Sequence, residues 1–188
     1  MKARAREAAA EVILEAAEEV AAARGLAATS TAAIAERAGV AVGTLYNYFP
    51  DRQALIDALF AWRREQMLPQ LDAAADAARG LPADKGLTAY VHAVLAAFES
   101  YRLYIRVAIA ADQEGVVIKT RKTSPVLARF IETVATILKP LAGNRSDMYA
   151  RMLYGALKQL VHYRVERDEP IAPDGELLVQ TFLAGIRR

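Results

Sequence analysis

The chain contains no cysteine. That removes disulfides, thiolate metal sites and cysteine nucleophiles together, and suits a reducing compartment. Neither sign of charge is in excess: 24 Lys plus Arg stand against 22 Asp plus Glu, a net of +2. Global charge therefore does not by itself direct the protein to nucleic acid. Histidine is limited to His92 and His162, far apart in the chain. No HExxH, nucleophile elbow or phosphate-binding glycine loop accompanies them, so no catalytic residue, metal or cofactor is expected. No apolar run approaches the ~20 residues of a membrane-spanning helix, and the charged, alanine-rich start lacks the apolar core of a secretory signal. The expectation is a soluble cytoplasmic protein with no membrane association. Strand patterns of convincing length, internal repeats and low-complexity segments are missing too.

What is present favours helix throughout. Of 188 residues, 54% are hydrophobic, with alanine prominent among them. Residues 2–24 read as one helix, with Val12, Ile13, Ala16, Ala17 and Val20 on one face and Gly25 as its stop. Glu7, Glu11, Glu15 and Glu18 or Glu19 form an acidic stripe opposite, which would repel phosphates. Lys2, Arg4 and Arg6 precede the stripe, as either a basic arm for the DNA backbone or minor groove, or a frayed solvated terminus.

Further on, Arg52 opens a helix that runs to about Leu68, where Pro69 kinks or ends it. Gly80, Pro82 and Gly86 mark a connection. Leu87, Tyr90, Val91, Val94, Leu95 and Phe98 then describe an amphipathic helix whose pattern extends past Tyr101 to about Ala111. Asp112–Ser124, with Lys119, Arg121 and Lys122, reads as a solvated loop. Ser124 as N-cap and Pro125 as first residue start the next helix, which stops near Pro140 and Gly143. From Ser146 to about Arg167, two apolar lines share one helix: Tyr149, Met152, Ala156, Leu160 and Tyr163, then Leu153, Leu157 and Val161. Two lines imply two packing surfaces. Pro170 and Pro173 separate this helix from a last one carrying Leu177, Leu178, Phe182, Leu183 and Ile186, closed by Arg187 and Arg188 in a sense that suits its dipole.

The stretch around which the chain is organised is Thr29–Leu55. Ser30 is placed as an N-cap, and Ile34, Ala35 and Ala38 share one apolar face. Gly39 supplies the left-handed turn, and Leu45 and Phe49 lie four apart on a second helix from Val42 to Phe49. Ala35, Gly39 and Leu45 thus stand where a helix-turn-helix needs a small residue, a turn glycine and a core apolar residue. The second helix of such a motif enters the major groove N-terminus first. Val42, Gly43 and Thr44 are then the residues that approach base edges, Val42 suiting a thymine methyl. Asn47, one turn beyond Gly43, is the best candidate for direct readout, because an amide pairs bidentately with adenine. Tyr46 and Tyr48 are placed to donate to phosphates, and Thr29, Ser30 and Thr31 add hydroxyl or amide donors to them.

In AERAGV, GTLYNYF and DRQAL, this stretch resembles the DNA-binding motif of the tetracycline-repressor (TetR) family, over roughly residues 8–60. The resemblance implies an all-α protein of about nine helices. Residues 1–52 would form a helix-turn-helix DNA-binding domain and residues 53–188 a regulatory, ligand-binding and dimerisation domain. It also implies a ligand-responsive regulator, most often a repressor. Such a protein binds a pseudo-palindromic double-stranded DNA operator as a homodimer, through its last two helices (about 146–167 and 173–188), and an unidentified small molecule releases it. Positions matching Tyr46, Tyr48 and Arg52 commonly contact the DNA backbone in that family, usually with Lys in place of Arg52. A ligand cavity would be enclosed by the helices after about Ala58, with His92, Tyr101, Tyr104, Asp112 and His162 as candidate polar liners. Trp62, Phe98, Phe130 and Met152 are candidate walls, Trp62 reading as core rather than ligand contact.

Two departures stand out. Many relatives carry Ser at the position of Ala41, so the recognition helix lacks a side-chain cap. Ala32 and Ala33 also replace polar readers, which leaves specificity to Val42–Asn47. Across residues 1–52, six basic side chains face seven acidic ones, a balance of −1. A basic footprint is the usual mark of a DNA-binding domain. The rival expectation is therefore a helical ligand-binding or scaffold protein whose motif has lost DNA binding.

Overall fold

The computed structural model describes residues 2–115 and 125–186, with side chains from residue 4 onward. Among these, nine α-helices follow in order: α1 Lys2–Arg24, α2 Thr31–Ala38, α3 Val42–Tyr48, α4 Arg52–Ala78, α5 Ala83–Ser100, α6 Arg102–Gln113, α7 Pro125–Ala142, α8 Ser146–Glu166 and α9 Gly175–Ile186. Two short 3-10 turns, Gly143–Arg145 and Ala172–Asp174, precede α8 and α9. No strand occurs among the described residues. No helix among them is long and apolar enough to cross a membrane. The predicted Ser124 cap, the Lys119, Arg121 and Lys122 cluster, the terminal Arg187 and Arg188, and the side chain of Lys2 lie outside the described residues.

The chain divides into two compact units, one of Met1–Arg63 with Leu103–Lys122, the other of Arg64–Arg102 with Thr123–Arg188. In the first, α1 turns Ile13, Leu14, Ala16, Ala17 and Val20 onto Ile34 and Ala35 of α2, Leu45 of α3, and Leu55 and Leu59 of α4. Ile34 and Leu45 are fully buried, each worth about 1.5–3 kcal/mol against exposure. Val12 was expected on this face but is 48% exposed, and Leu14 takes its place. Glu18 also departs from the predicted acidic stripe. It is buried, and its carboxylate accepts from Arg63 Nε at 2.5 Å and Nη2 at 3.1 Å. A carboxylate can turn inward here because α4 brings a guanidinium to meet it. On α6, Tyr104 sits edge-on to Phe60 at 5.4 Å between centroids.

The second unit is built from α5, α7, α8, α9 and the later turns of α4. Tyr90 of α5 and Tyr154 of α8 flank Phe130 of α7, each ring 5.8 Å from it. Burial pushes the Tyr90 phenol above its ordinary pKa. The α5–α9 contact depends on Gly175, where a Cβ would fall 2.8 Å from Leu95 Cδ1.

Three boundaries depart from expectation. Helix α4 does not end at Pro69 but continues through it to Ala78. Pro69 and Glu65 are both exposed, so the carbonyl that loses its partner faces water. Gly86 lies inside α5 rather than in the connection, and its missing side chain suits a close approach, since a Cβ there would sit 3.2 Å from the Ala78 carbonyl. The long helix expected from Leu87 to Ala111 is two helices broken at Tyr101. Its hydroxyl accepts from Gln70 Nε2 at 2.8 Å, and Arg102 Nη1 donates to the Glu169 carbonyl at 2.7 Å. Those tertiary bonds hold a break that helical periodicity does not register.

Candidate nucleic-acid interface

The local chemistry of α2 and α3 follows from a few residues. Ser30 stands in extended backbone, and its hydroxyl accepts from the Ala33 N–H at 3.2 Å, capping α2. Gly39, at φ 68°, ends that helix in the left-handed conformation. Its N–H donates to Glu36 O at 3.1 Å and that of Val40 to Ala35 O at 2.9 Å, a Schellman closure. Ala41 then begins α3 in the N-cap position with no side-chain bond, as its methyl group requires.

On α3 the buried side is Leu45, with Phe49 just beyond, and the exposed side is Val42, Gly43, Tyr46 and Asn47. Thr44 and Tyr48 are half-buried at the boundary. Val42 with Tyr46, and Gly43 with Asn47, are each four apart, so one helical face presents them together. The Tyr46 hydroxyl lies 3.2 Å from Thr31 Oγ1, which brings the start of α2 beside the exposed face of α3. Arg6 reaches the other end: its Nη2 donates to the Asn47 carbonyl at 3.4 Å, and its guanidinium lies 5.7 Å from the Tyr48 ring centroid. It places a cation at the C-terminus of a helix with no basic residue in its own last turn.

Two residues predicted as phosphate contacts make bonds within the chain. Thr29 is buried, and its hydroxyl donates to the Gly25 carbonyl at 2.7 Å. The reason is the turn itself, which folds the hydroxyl back onto the end of α1. Arg52 donates from Nε to the Thr29 carbonyl at 2.8 Å and from Nη2 to the Leu26 carbonyl. Its fork therefore clamps the loop between α1 and α2, each carbonyl taken by a different guanidinium nitrogen.

Charge is also redistributed by pairing. Of the acidic residues before Asp51, Glu18 pairs with Arg63 and Glu19 with Arg37. Sequence reading missed Arg63, Arg6 and Glu114 as supports of this region. The Glu114 carboxylate accepts from the Ala27 N–H at 2.6 Å, across 87 positions of sequence. No spacing rule reaches that far. Of the residues suggested as cavity liners or walls, His92 and Asp112 are exposed, and Met152 is 55% exposed. Trp62 packs against the core of the first unit. No group of three or more metal-ligating side chains occurs among the described residues.

Residues 13–59 match a family described as bacterial regulatory proteins, tetR family. No curated protein matches the chain. Among solved structures, the chain is similar to a TetR-like transcriptional regulator from Rhodococcus sp. RHA1, at 26% identity, TM-score 0.75 and 96% coverage of each chain. It is also similar to FadR from Bacillus subtilis, solved in complex with stearoyl-CoA: 19% identity, TM-score 0.76, covering 93% of this chain and 98% of that one. The fatty acid degradation regulator FadR from Bacillus halodurans gives 20% identity and TM-score 0.73 at the same coverage. At such identities the two FadR likenesses describe the fold.

Proposed function

We propose that this chain, whose residues 13–59 match the tetR family and whose length takes the fold of a TetR-like regulator, is a TetR-family transcriptional regulator that represses by binding a pseudo-palindromic operator as a dimer and is released by a small molecule. The observation that carries this reading is the exposed face of Val42, Gly43, Tyr46 and Asn47 on α3, braced by Thr31 and Arg6. Val42, Gly43 and Thr44 meet base edges, and Asn47 reads an adenine. Tyr46, Tyr48, Thr31 and the N-terminus of α2 at Ser30 hold the backbone. Thr29 and Arg52 act from behind, by shaping the loop. Residues 1–52 form the DNA-reading part and residues 53–188 the regulatory and dimerising part.

The exposed apolar line on α8, with Met148, Met152 and Tyr163, and Leu177 on α9, supports the dimer. Two recognition helices then meet half-sites about one DNA turn apart, and an effector acts by changing their separation. An acyl-CoA is the first effector to test, since the Bacillus subtilis relative was solved with stearoyl-CoA.

The test is a titration of purified protein against DNA upstream of its own reading frame, at several salt concentrations, with and without acyl-CoA. Binding is expected with a shallow salt dependence, a few units of log K per log salt, because neutral donors make most of the backbone contacts. A slope near ten would contradict that balance. The alternative, a helical ligand-binding or scaffold protein without DNA affinity, is favoured by the −1 charge balance of residues 1–52 and the uncapped α3. Failure to retain any such fragment, with and without acyl-CoA, would favour it.

A further inference from the structure

Helix α6 ends in a carboxylate that reaches back across the sequence. The Glu114 N–H closes on the Ala110 carbonyl at 2.8 Å, and Gly115, at φ 66°, stops the helix immediately afterwards. The Glu114 side chain then meets the loop between α1 and α2, its Oε2 accepting from the Ala27 N–H at 2.6 Å. The loop makes room for it. Gly25 has φ +80°, which favours glycine, and a Cβ there would stand 2.7 Å from Glu114 Oε1. On the acceptor side of the same loop, Arg52 holds the Leu26 and Thr29 carbonyls. A carboxylate thus takes the loop's amide while a guanidinium takes its carbonyls. The next residue is Ser30, the cap of α2, and α2 carries the Thr31 hydroxyl that meets Tyr46.

We infer that Glu114 is a positioning residue for DNA recognition, fixing the loop that sets where α2 begins and hence how α3 is presented. The inference rests on the reading of this chain as a DNA-binding regulator. Its sign makes it testable. A carboxylate near a DNA-binding surface repels phosphate, so a Glu114 that contributed only charge would weaken binding, and its removal would tighten it. A Glu114 that positions the loop has the opposite signature, and an amide in its place keeps the acceptor oxygen while discarding the charge.

The experiment compares wild type, Glu114→Ala and Glu114→Gln on the upstream DNA fragment, well below their thermal midpoints. Amide hydrogen exchange at Ala27 is followed in the free proteins. Glu114→Ala is expected to bind about tenfold more weakly, about 1.4 kcal/mol of lost preorganisation. Its Ala27 amide should exchange faster, and the salt slope should stay unchanged because no phosphate contact is lost. Glu114→Gln should recover most of the affinity and of the protection. Equal or tighter binding by Glu114→Ala overturns the positioning role, as does a Glu114→Gln variant as weak as Glu114→Ala. If the wild type binds no fragment, the regulator reading fails and the inference falls with it. Wild-type binding with an unaffected Glu114→Ala removes the inference alone.

Discussion

Asn47 and Tyr46 are neighbours on α3 and both exposed, yet they are assigned different tasks. An amide that pairs with adenine discriminates by about 1–3 kcal/mol against other bases, whereas a phenol that donates to phosphate distinguishes nothing. Asn47→Ala should therefore flatten the preference for one base position and leave binding to unrelated duplex nearly unchanged. Tyr46→Phe, which removes only the hydroxyl, should weaken binding to specific and non-specific duplexes by the same factor. A base-substitution series across the operator, measured with both variants, checks this; identical profiles would refute the division between reading and anchoring. At this scale the exposed face of α3 was legible, because a helix of known phase with Leu45 inward leaves Asn47 and Tyr46 outward. Thr29 and Arg52 were not. A threonine beside a helix start and an arginine after a turn look the same in sequence whether they face a phosphate or a carbonyl of their own chain.

Among the elements, α3 is the one with least intrinsic support. It spans Val42–Tyr48 and begins at Ala41 with no side-chain cap. Isolated helices so short do not persist in water, so α3 stands on the burial of Leu45 and Phe49 and on Arg6 at its end. Ala41→Ser should stabilise the protein by about 0.5–2 kcal/mol by satisfying an orphan amide. A raised thermal midpoint with operator affinity retained is the expected outcome; an unchanged or lowered midpoint would refute the missing cap as a source of instability. The caps of α2 could be read from Ser30 and Gly39, since both act within a few residues of themselves. The course of α4 through Pro69 and the break at Tyr101 could not. One depends on which side of the helix meets water, the other on Gln70 and Glu169, supplied from elsewhere in the fold.

For the whole molecule the decisive question is what covers α8 and α9. Leu153, Leu157 and Val161 face inward, while Met152 is 55% and Leu177 65% exposed. A double substitution, Met152→Glu with Leu177→Glu, should turn a dimer into a folded monomer, because charges are costly inside an apolar interface. Sedimentation velocity reads the mass, and operator affinity should fall by about two orders of magnitude or more as one half-site's contacts are lost. A dimer of undiminished affinity would place the interface elsewhere. The sequence by itself determined the all-helical class, the helix-turn-helix and the two-faced character of α8, all of which rest on interactions between residues a few positions apart. Only the tertiary structure decided that Glu18 turns inward to Arg63, that Arg52 and Thr29 serve the loop, and that Glu114 grips it from 87 positions away. Such choices balance the desolvation of a charged or polar group against a partner brought by another helix, and that partner exists only once the chain has folded.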